Sequence, residues 1–418
     1  MSPGPGSARP SAAPLFAFSD AEAVEIAEQH GTPCFAYRLD LAEARFRALR
    51  SVLSDRVRLA FAVKANPHPA LLARFAELGS AFDCASGGEL ERVREAGAPG
   101  GSILFAGPGK ARGELRLALD LGARIQADGP EDLERIEGLL AEEPGAGARA
   151  PLSVNLRVHP RGGVSEGEGG RGNIIGGTGP SAFGVDEEEL LAFLDAAKAF
   201  RGIRISGLQV FAASNELDAG RLLANHRTAL AIGRAMAERG FELDCIDLGG
   251  GLGIPYAEGA PELDIGALGA GLSKLLAENP WFKGSLILEP GRWLAGPLGV
   301  YLARVLRAKE SRGKRFLVLE GGINHLIRPL LTGQAFPAKA PGAAGAAVPQ
   351  VLAGPLCTSL DRLGELPLPP LRAGDLVMLG QAGAYGFTEA MGAFLSHPAP
   401  AEHWFEGPPS PSGHQQSS

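Results

Sequence analysis

Between about residue 57 and residue 290 the chain alternates short, unbroken apolar runs with longer segments of helical pattern. The runs are VRLAFAV (57–63), AFDCA (81–85), SILFAG (102–107), RIQAD (124–128), SVNLRV (153–158), IRISGLQVF (203–211), LDCIDL (243–248) and SLILE (285–289). They are continuously apolar rather than alternating, as parallel strands covered on both faces require. Helical patterns such as GGELERVREAG, GPEDLERIEGLLAEE, VDEEELLAFLDAAKAF, RLLANHRTALAIGRAMAERG and IGALGAGLSKLLAEN lie between them. Eight strands, each followed by a helix-length interval until the last, predict an α/β fold built on a closed (β/α)8 TIM barrel. The first interval, PALLARFAELG, is short for that role. The acidic run DEEE (186–189) is expected to begin a helix, where acids suit the positive end of the dipole.

After residue 292 the pattern changes. VYLARVLRAKE, RFLVLEGG and DLVMLGQAG are β-rich with no long helix between them, which predicts a second, mostly antiparallel β domain. The early stretch TPCFAYRL (32–39) is expected to add a strand to it. The expected division is therefore a tail over 1–14, a segment over 15–40 joining the β domain, a barrel over 41–290, the β domain over 291–406, and a second tail over 407–418. Both tails are rich in Pro, Ser, Gly and Gln and have little to bury. Residues 161–179 hold nine glycines after the fifth strand, at the barrel end where an active site sits. Such a segment is either a lid over the mouth or an insertion without function.

Composition narrows the function classes. The 418 residues are 45% hydrophobic with a net charge of −7, enough apolar material for a large core. A pI near 5.7 with no basic stripe argues against nucleic acid as a partner. Cys34, Cys84, Cys245 and Cys357 form no CxxC pair, which suits a reducing cytoplasm. No apolar run reaches membrane-spanning length, and the amino terminus lacks a secretory pattern. His30, His226, His397, His403 and His414 have no spacing suited to a metal, whereas His159 and His325 sit where they could line a pocket.

In a (β/α)8 barrel, polar residues at the carboxyl ends of strands converge on one mouth. Here those ends carry Lys64, Asp83, Arg157, Ser214, Gly249 to Gly251 and Glu289. Lys64 leaves an apolar strand, so desolvation is expected to lower its pKa and expose a nucleophilic amine, as a Schiff-base lysine needs. DLGGGLGIPY (247–256) presents backbone N–H groups without Cβ obstruction, which makes either a phosphate cradle or a tight rim turn. EPGR (289–292) offers a carboxylate able to hold a ring nitrogen protonated, then a Gly-Arg pair able to face an anion.

With these residues in place, the chain resembles the fold-type III pyridoxal-phosphate decarboxylases, the diaminopimelate, ornithine and arginine-type group. The motifs, in order, are FAVKAN around Lys64, FDCASGGE, GGGLG, EPGR, GGINHLIRP, GPLCTSLD and GAYG. The resemblance implies pyridoxal 5'-phosphate as cofactor and a head-to-tail homodimer with active sites shared between subunits. It implies that Lys64 forms the internal aldimine, and that Ser214, Gly249, Gly250, Gly251, Gly291, Arg292 and Tyr385 grip the phosphate. Asp83 and Arg157 fall among the cofactor contacts. Glu289 matches the partner of the pyridine nitrogen, which makes the ring an electron sink for the carbanion left by CO2 loss. Cys357 matches a partner-subunit residue that protonates that carbanion. Lys64, Glu289 and Cys357 are thus the catalytic candidates.

Departures from the family concern the substrate. GLQVFAASN places Phe211 where a His usually stacks on the cofactor ring. RPLLT puts Thr332 in place of a substrate-contacting Tyr, and Thr358 replaces the acid after the Cys. Arg328 is kept, so a carboxyl-bearing group stays plausible, and Arg292 and Asp361 complete the substrate candidates. FLSHPAPAEHW and GGINHL look closer to a side branch acting in carrier-protein-linked antibiotic, siderophore or exosortase-associated polysaccharide pathways. The reading is an α-decarboxylase of a small-molecule amino acid, free or tethered to a carrier protein. Diaminopimelate decarboxylase proper, a racemase on the same barrel, and a non-catalytic regulator are the alternatives.

Overall fold

The computed structural model describes residues 14–142, 150–162, 179–211 and 213–408. Most of the glycine-rich 161–179 segment and of the two tails therefore lies outside the described residues. The amino-terminal part gives helix α1 (Asp20–His30), capped reciprocally by Ser19 and Glu22, then strand β1 (Cys34–Arg38) and helix α2 (Leu39–Ser51).

The barrel follows. Its strands are β2 (Val57–Ala62), β3 (Ala81–Cys84), β4 (Ile103–Phe105), β5 (Arg124–Ala127) and β6 (Leu152–His159), with a two-residue strand β7 (Val185–Asp186) on the edge. They continue as β8 (Ile203–Gln209), β9 (Cys245–Asp247) and β10 (Ser285–Leu288). Every pairing is parallel, and β10 pairs back to β2 through Leu288 and Leu59 while β5 pairs β6 through Gln126 and Asn155, which closes the sheet. All eight apolar runs read from the sequence are barrel strands. Buried on both faces, they had little room for polar alternation.

The helices between them are α3 (Pro69–Glu77), α4 (Gly87–Glu95), α5 (Arg112–Leu121), α6 (Pro130–Ala141), α7 (Leu190–Ala197), α8 (Ala219–Glu238) and α9 (Ile265–Glu278). The short α3 suffices because Pro69 starts it, His68 caps it, and Leu71, Leu72 and Phe75 bury one face. The DEEE run does not begin a helix: it spans the end of β7 and a turn, and α7 starts at Leu190 with Glu189 as its N-cap. Among the described residues, no helix is long and apolar enough to cross a membrane.

Beyond the short helix α10 (Arg292–Ala295) the chain enters the second sheet through β11 (Gly299–Ser311) and β12 (Lys314–Leu319). Helix α11 (Arg328–Thr332) and strands β13 (Ala338–Lys339), β14 (Val348–Ala353), β15 (Arg362–Leu368), β16 (Leu376–Leu379) and β17 (Ala401–Phe405) complete it. Most pairings are antiparallel; β12–β14 and β1–β17 are parallel. Strand β1 sits between β11 and β17, so the amino-terminal segment is built into this sheet. Helix α1 lays Ala23, Ile26 and Ala27 on Val300, Leu302 and Met378, a small core of its own. The main core runs without a break from barrel to β domain.

Candidate active site

The first barrel strand ends in a single 3-10 turn, Val63–Ala65, that lifts Lys64 out of the sheet while burying its neighbours. Lys64 Nζ donates to Asp83 Oδ2 at 2.7 Å, and Asp83, on β3, is almost fully buried. One third of the Lys64 side chain stays open, and it opens into a cavity at the carboxyl end of the barrel. That cavity holds about 590 Å³, its mouth included.

Here the sequence expectation for Lys64 is corrected. Burial does work against its charge, but the carboxylates of Asp83 and Glu289, with Tyr385 beside them, outweigh it and hold the ammonium well above the ordinary lysine range. The amine is stored charged against Asp83 rather than neutral in an apolar sleeve.

Glu289 and the glycine loop form the opposite wall, and Ser214, Gly250, Gly251, Gly291 and Arg292 face the same space. A Cβ on Gly250 would meet the Glu289 carbonyl oxygen at 2.6 Å, and one on Gly251, at φ +90°, would meet the Ala213 carbonyl at 2.6 Å. Only glycine lets this loop close on the strand ends and leave a cradle lined by backbone. Gly249 lies just behind, against the Phe211 ring that forms another wall. Arg292 donates to the Tyr256 hydroxyl at 2.9 Å, and its guanidinium lies 5.0 Å from the Tyr385 ring centroid. A buried carboxylate, a lysine and an arginine beside a side-chain-free cradle fit a phosphorylated, cationic-ring aldehyde. The donor set thus matches pyridoxal phosphate.

The far end of the cavity belongs to the β domain. Tyr385 takes φ +56°, and Arg328 stacks on its ring at 4.4 Å. Arg328 Nη1 also donates to both carboxylate oxygens of Glu389, at 3.0 and 3.1 Å. Glu389 and Asn215 line the cavity, although neither stood out in the sequence.

Other candidates fall elsewhere. Arg157 stacks on Phe183 at 4.4 Å and does not line the cavity. Thr332 lines a small adjoining pocket and donates its hydroxyl to the Arg328 carbonyl at 2.9 Å. Asp361 is corrected from substrate contact to loop anchor. It is buried, with Oδ1 accepting from Ile323 N at 2.8 Å and Oδ2 from Leu356 N at 2.7 Å. Cys357 is exposed and Thr358 half-buried on that loop, and neither reaches this chain's own cavity. His159 bonds the Gly179 carbonyl and His325 bonds the Tyr301 hydroxyl, both away from the cavity.

A sequence profile described as "Pyridoxal-dependent decarboxylase, pyridoxal binding domain" matches residues 39–296, more than half of the chain. The chain belongs to the pyridoxal-dependent decarboxylases. An L-glutamyl-[BtrI acyl-carrier protein] decarboxylase from Niallia circulans is 32% identical over 397 residues, covering 91% of this chain and 90% of the relative. A diaminopimelate decarboxylase from Zymomonas mobilis is also 32% identical over 391 residues, with 92% and 90% covered. The crystal structure of diaminopimelate decarboxylase from Helicobacter pylori complexed with L-lysine superposes with a TM-score of 0.81 at 26% identity, covering 92% of this chain and 94% of that one. This decarboxylase is thus a pyridoxal-phosphate-dependent carboxy-lyase acting on an amino-acid substrate, on the barrel-plus-β-domain fold of its family.

Proposed function

We propose that this decarboxylase removes the α-carboxylate from an amino acid whose distal end carries no free charge, such as one tethered to a carrier protein. The observation behind this is the Arg328–Glu389 pair, which offers a locally neutral surface where a diamino acid would need a carboxylate. Asp361 is buried away from the cavity, where it anchors two backbone N–H groups, so it offers no exposed carboxylate to an ammonium within this chain. The 32%-identical carrier-protein glutamyl decarboxylase supports the same direction. Diaminopimelate decarboxylation is the second reading, favoured by the retained, buried Arg328 and by the diaminopimelate relative.

Bound pyridoxal phosphate supplies an electron sink for the pair left on the α-carbon when CO2 departs. The chain's own groups prepare that event. Lys64 offers the amine, and Asp83 Oδ2 is placed to hold its proton. Glu289, buried on the cavity wall, would pair with the ring nitrogen of the bound cofactor and so favour decarboxylation over racemisation, which works best with a weaker sink. Arg292 and the Gly250–Gly251 backbone hold the phosphate end. Phe211 excludes water from one wall.

Cys357 is assigned to return a proton to the α-carbon from a second copy of the chain. Its loop and the segment after Tyr385 expose Leu360, Met391, Phe394 and Leu395, apolar surface suited to a self-association face. Reconstitution with pyridoxal phosphate and a mass-spectrometric screen for CO2 loss tests the proposal. Free diamino acids, acidic amino acids and aminoacyl-carrier conjugates would be compared. Turnover confined to the conjugates is the expected result, and preferential turnover of free diamino acids would refute it.

A further inference from the structure

Behind Glu289, on its side away from the cavity, the barrel interior holds a second carboxyl group that the assignment above leaves unused. Asp247 ends β9, is fully buried, and directly precedes the glycine loop. Its Oδ1 accepts from the Gly249 backbone N–H at 2.9 Å. Its Oδ2 accepts from Gln126 Nε2 at 3.1 Å, and the same amide nitrogen donates to Glu289 Oε1 at 3.3 Å. One amide thus faces two buried carboxyl groups from β5, across the barrel. Asp83 is a third carboxyl within electrostatic reach, and Lys64 is the cation facing Glu289 and Asp83.

Two carboxylates that share one hydrogen-bond donor in a buried site resist ionising together, because burial leaves their repulsion poorly screened. Their surroundings decide which keeps the proton. Burial first and the charge of Asp83 second push the Glu289 carboxyl up, while the facing Lys64 ammonium and the Gln126 amide pull it back toward the ionised form. Asp247 lies deeper. Burial first and the charge of Glu289 second push its carboxyl far above the usual carboxylate range, and the two carboxyl groups meet at the one Gln126 amide nitrogen that bonds both.

We propose that Asp247 is held as the neutral carboxylic acid, donates its proton to Glu289, and thereby keeps Glu289 ionised and aimed at the cofactor's ring nitrogen. Asp247 is a positioning residue: it touches neither substrate nor cofactor. Through Gly249 it also fixes the glycine loop relative to Glu289, so the two ends of the cofactor site share one buried anchor. The inference rests on Glu289 as the ring-nitrogen partner.

Three variants separate the possibilities. Asp247→Asn replaces the acid by an amide that still donates toward Glu289 and accepts from Gly249. Asp247→Ala removes the bonds to Gly249 and Gln126 together with the proposed one to Glu289. Glu289→Gln tests the underlying role independently. Infrared spectra of the full-length protein, with and without pyridoxal phosphate, should show the carbonyl stretch of a neutral carboxylic acid that Asp247→Asn abolishes. Asp247→Asn should keep kcat within about threefold of the parent, whereas Asp247→Ala should lose roughly 10- to 100-fold in kcat with little change in KM, as for a lost hydrogen bond to a charged group. If Asp247→Ala fails to fold, the infrared band and the Asp247→Asn rates still decide the matter. Absence of the band, or an Asp247→Asn enzyme impaired a hundredfold or more, would overturn the role of Asp247. Full activity in Glu289→Gln would instead remove the reading on which it rests.

Discussion

The backbone N–H of Tyr385 donates to the carbonyl oxygen of Ala65 at 2.8 Å, so a β-domain loop is fastened to the residue that follows Lys64. Asn66 doubles the tie, its Nδ2 donating to the Gly383 carbonyl at 3.0 Å while its Oδ1 accepts from His68 N at 3.1 Å. The reactive amine and the loop that carries Tyr385 therefore move as one unit. Asn66→Ala leaves the buried Gly383 carbonyl without this donor and frees the turn. A loss of about 1–3 kcal/mol in unfolding free energy is expected, the cost of an unmet buried polar group, read by chemical denaturation. A fall in kcat should accompany it.

Asp83 sets the charge of Lys64. Removing it with Asp83→Asn takes away the largest influence that raises the Lys64 pKa, while burial, which lowers it, remains. Lys64 should then lose its proton at lower pH than in the parent. The rate at which apoprotein captures pyridoxal phosphate, followed by absorbance against pH, should shift its rising limb downward.

Glu389 controls what the cavity shows to a substrate's far end. Glu389→Gln keeps the shape but leaves Arg328 without this carboxylate. Substrates ending in a carboxylate are expected to gain about tenfold in kcat/KM, the worth of a charge-assisted hydrogen bond, relative to uncharged ones. Steady-state kinetics on matched substrate pairs reads this directly.

Lys110 forms a buried brace on the barrel rim. Its Nζ donates to Asp128 Oδ2 and Asp132 Oδ2, both at 2.8 Å, and to the Gly107 carbonyl at 2.6 Å. Lys110→Met would leave two carboxylates without their shared cation, and a loss of about 3–5 kcal/mol is expected in denaturant titrations. The double change of both acids to Asn should restore part of it.

His226 gives the fold an acid limit. It is buried in α8, and burial pushes its imidazole down to about 4. A histidine whose folded pKa lies below its unfolded value binds its proton preferentially when unfolded. Its contribution is thus complete above about pH 6.5 and is lost as pH falls toward 4. The span corresponds to roughly 3 kcal/mol at the acid end. His226→Leu should flatten that part of the stability-against-pH curve, measured by thermal or denaturant unfolding.

The barrel was legible because each strand is covered on both faces and so reads as an unbroken apolar run. Strands β14, β15 and β17 were not: β15 alternates Leu363 and Leu368 with exposed or half-buried positions, and β17 has no fully buried residue. The site divided in a similar way. Lys64, the glycine loop, Glu289 and Arg292 announce themselves by the strand ends they occupy. Gln126 and Glu289 are 163 positions apart in the chain, and only barrel closure makes them neighbours. Asp247 carried one local signal, its place just before Gly249. Glu389 carried none beyond following Tyr385 closely. The desolvation expected at Lys64 was real but was outweighed by carboxylates that strand β3 and the end of β10 bring in from elsewhere.

The most direct test is release of 13CO2 from substrates labelled at the α-carboxyl, by pyridoxal-phosphate-loaded parent enzyme and Lys64→Ala. The parent enzyme should release 13CO2 from aminoacyl-carrier conjugates at higher kcat/KM than from free diaminopimelate, and Lys64→Ala should release none. A faster reaction with free diaminopimelate, inversion of the α-centre without 13CO2, or turnover by Lys64→Ala would contradict the proposed function.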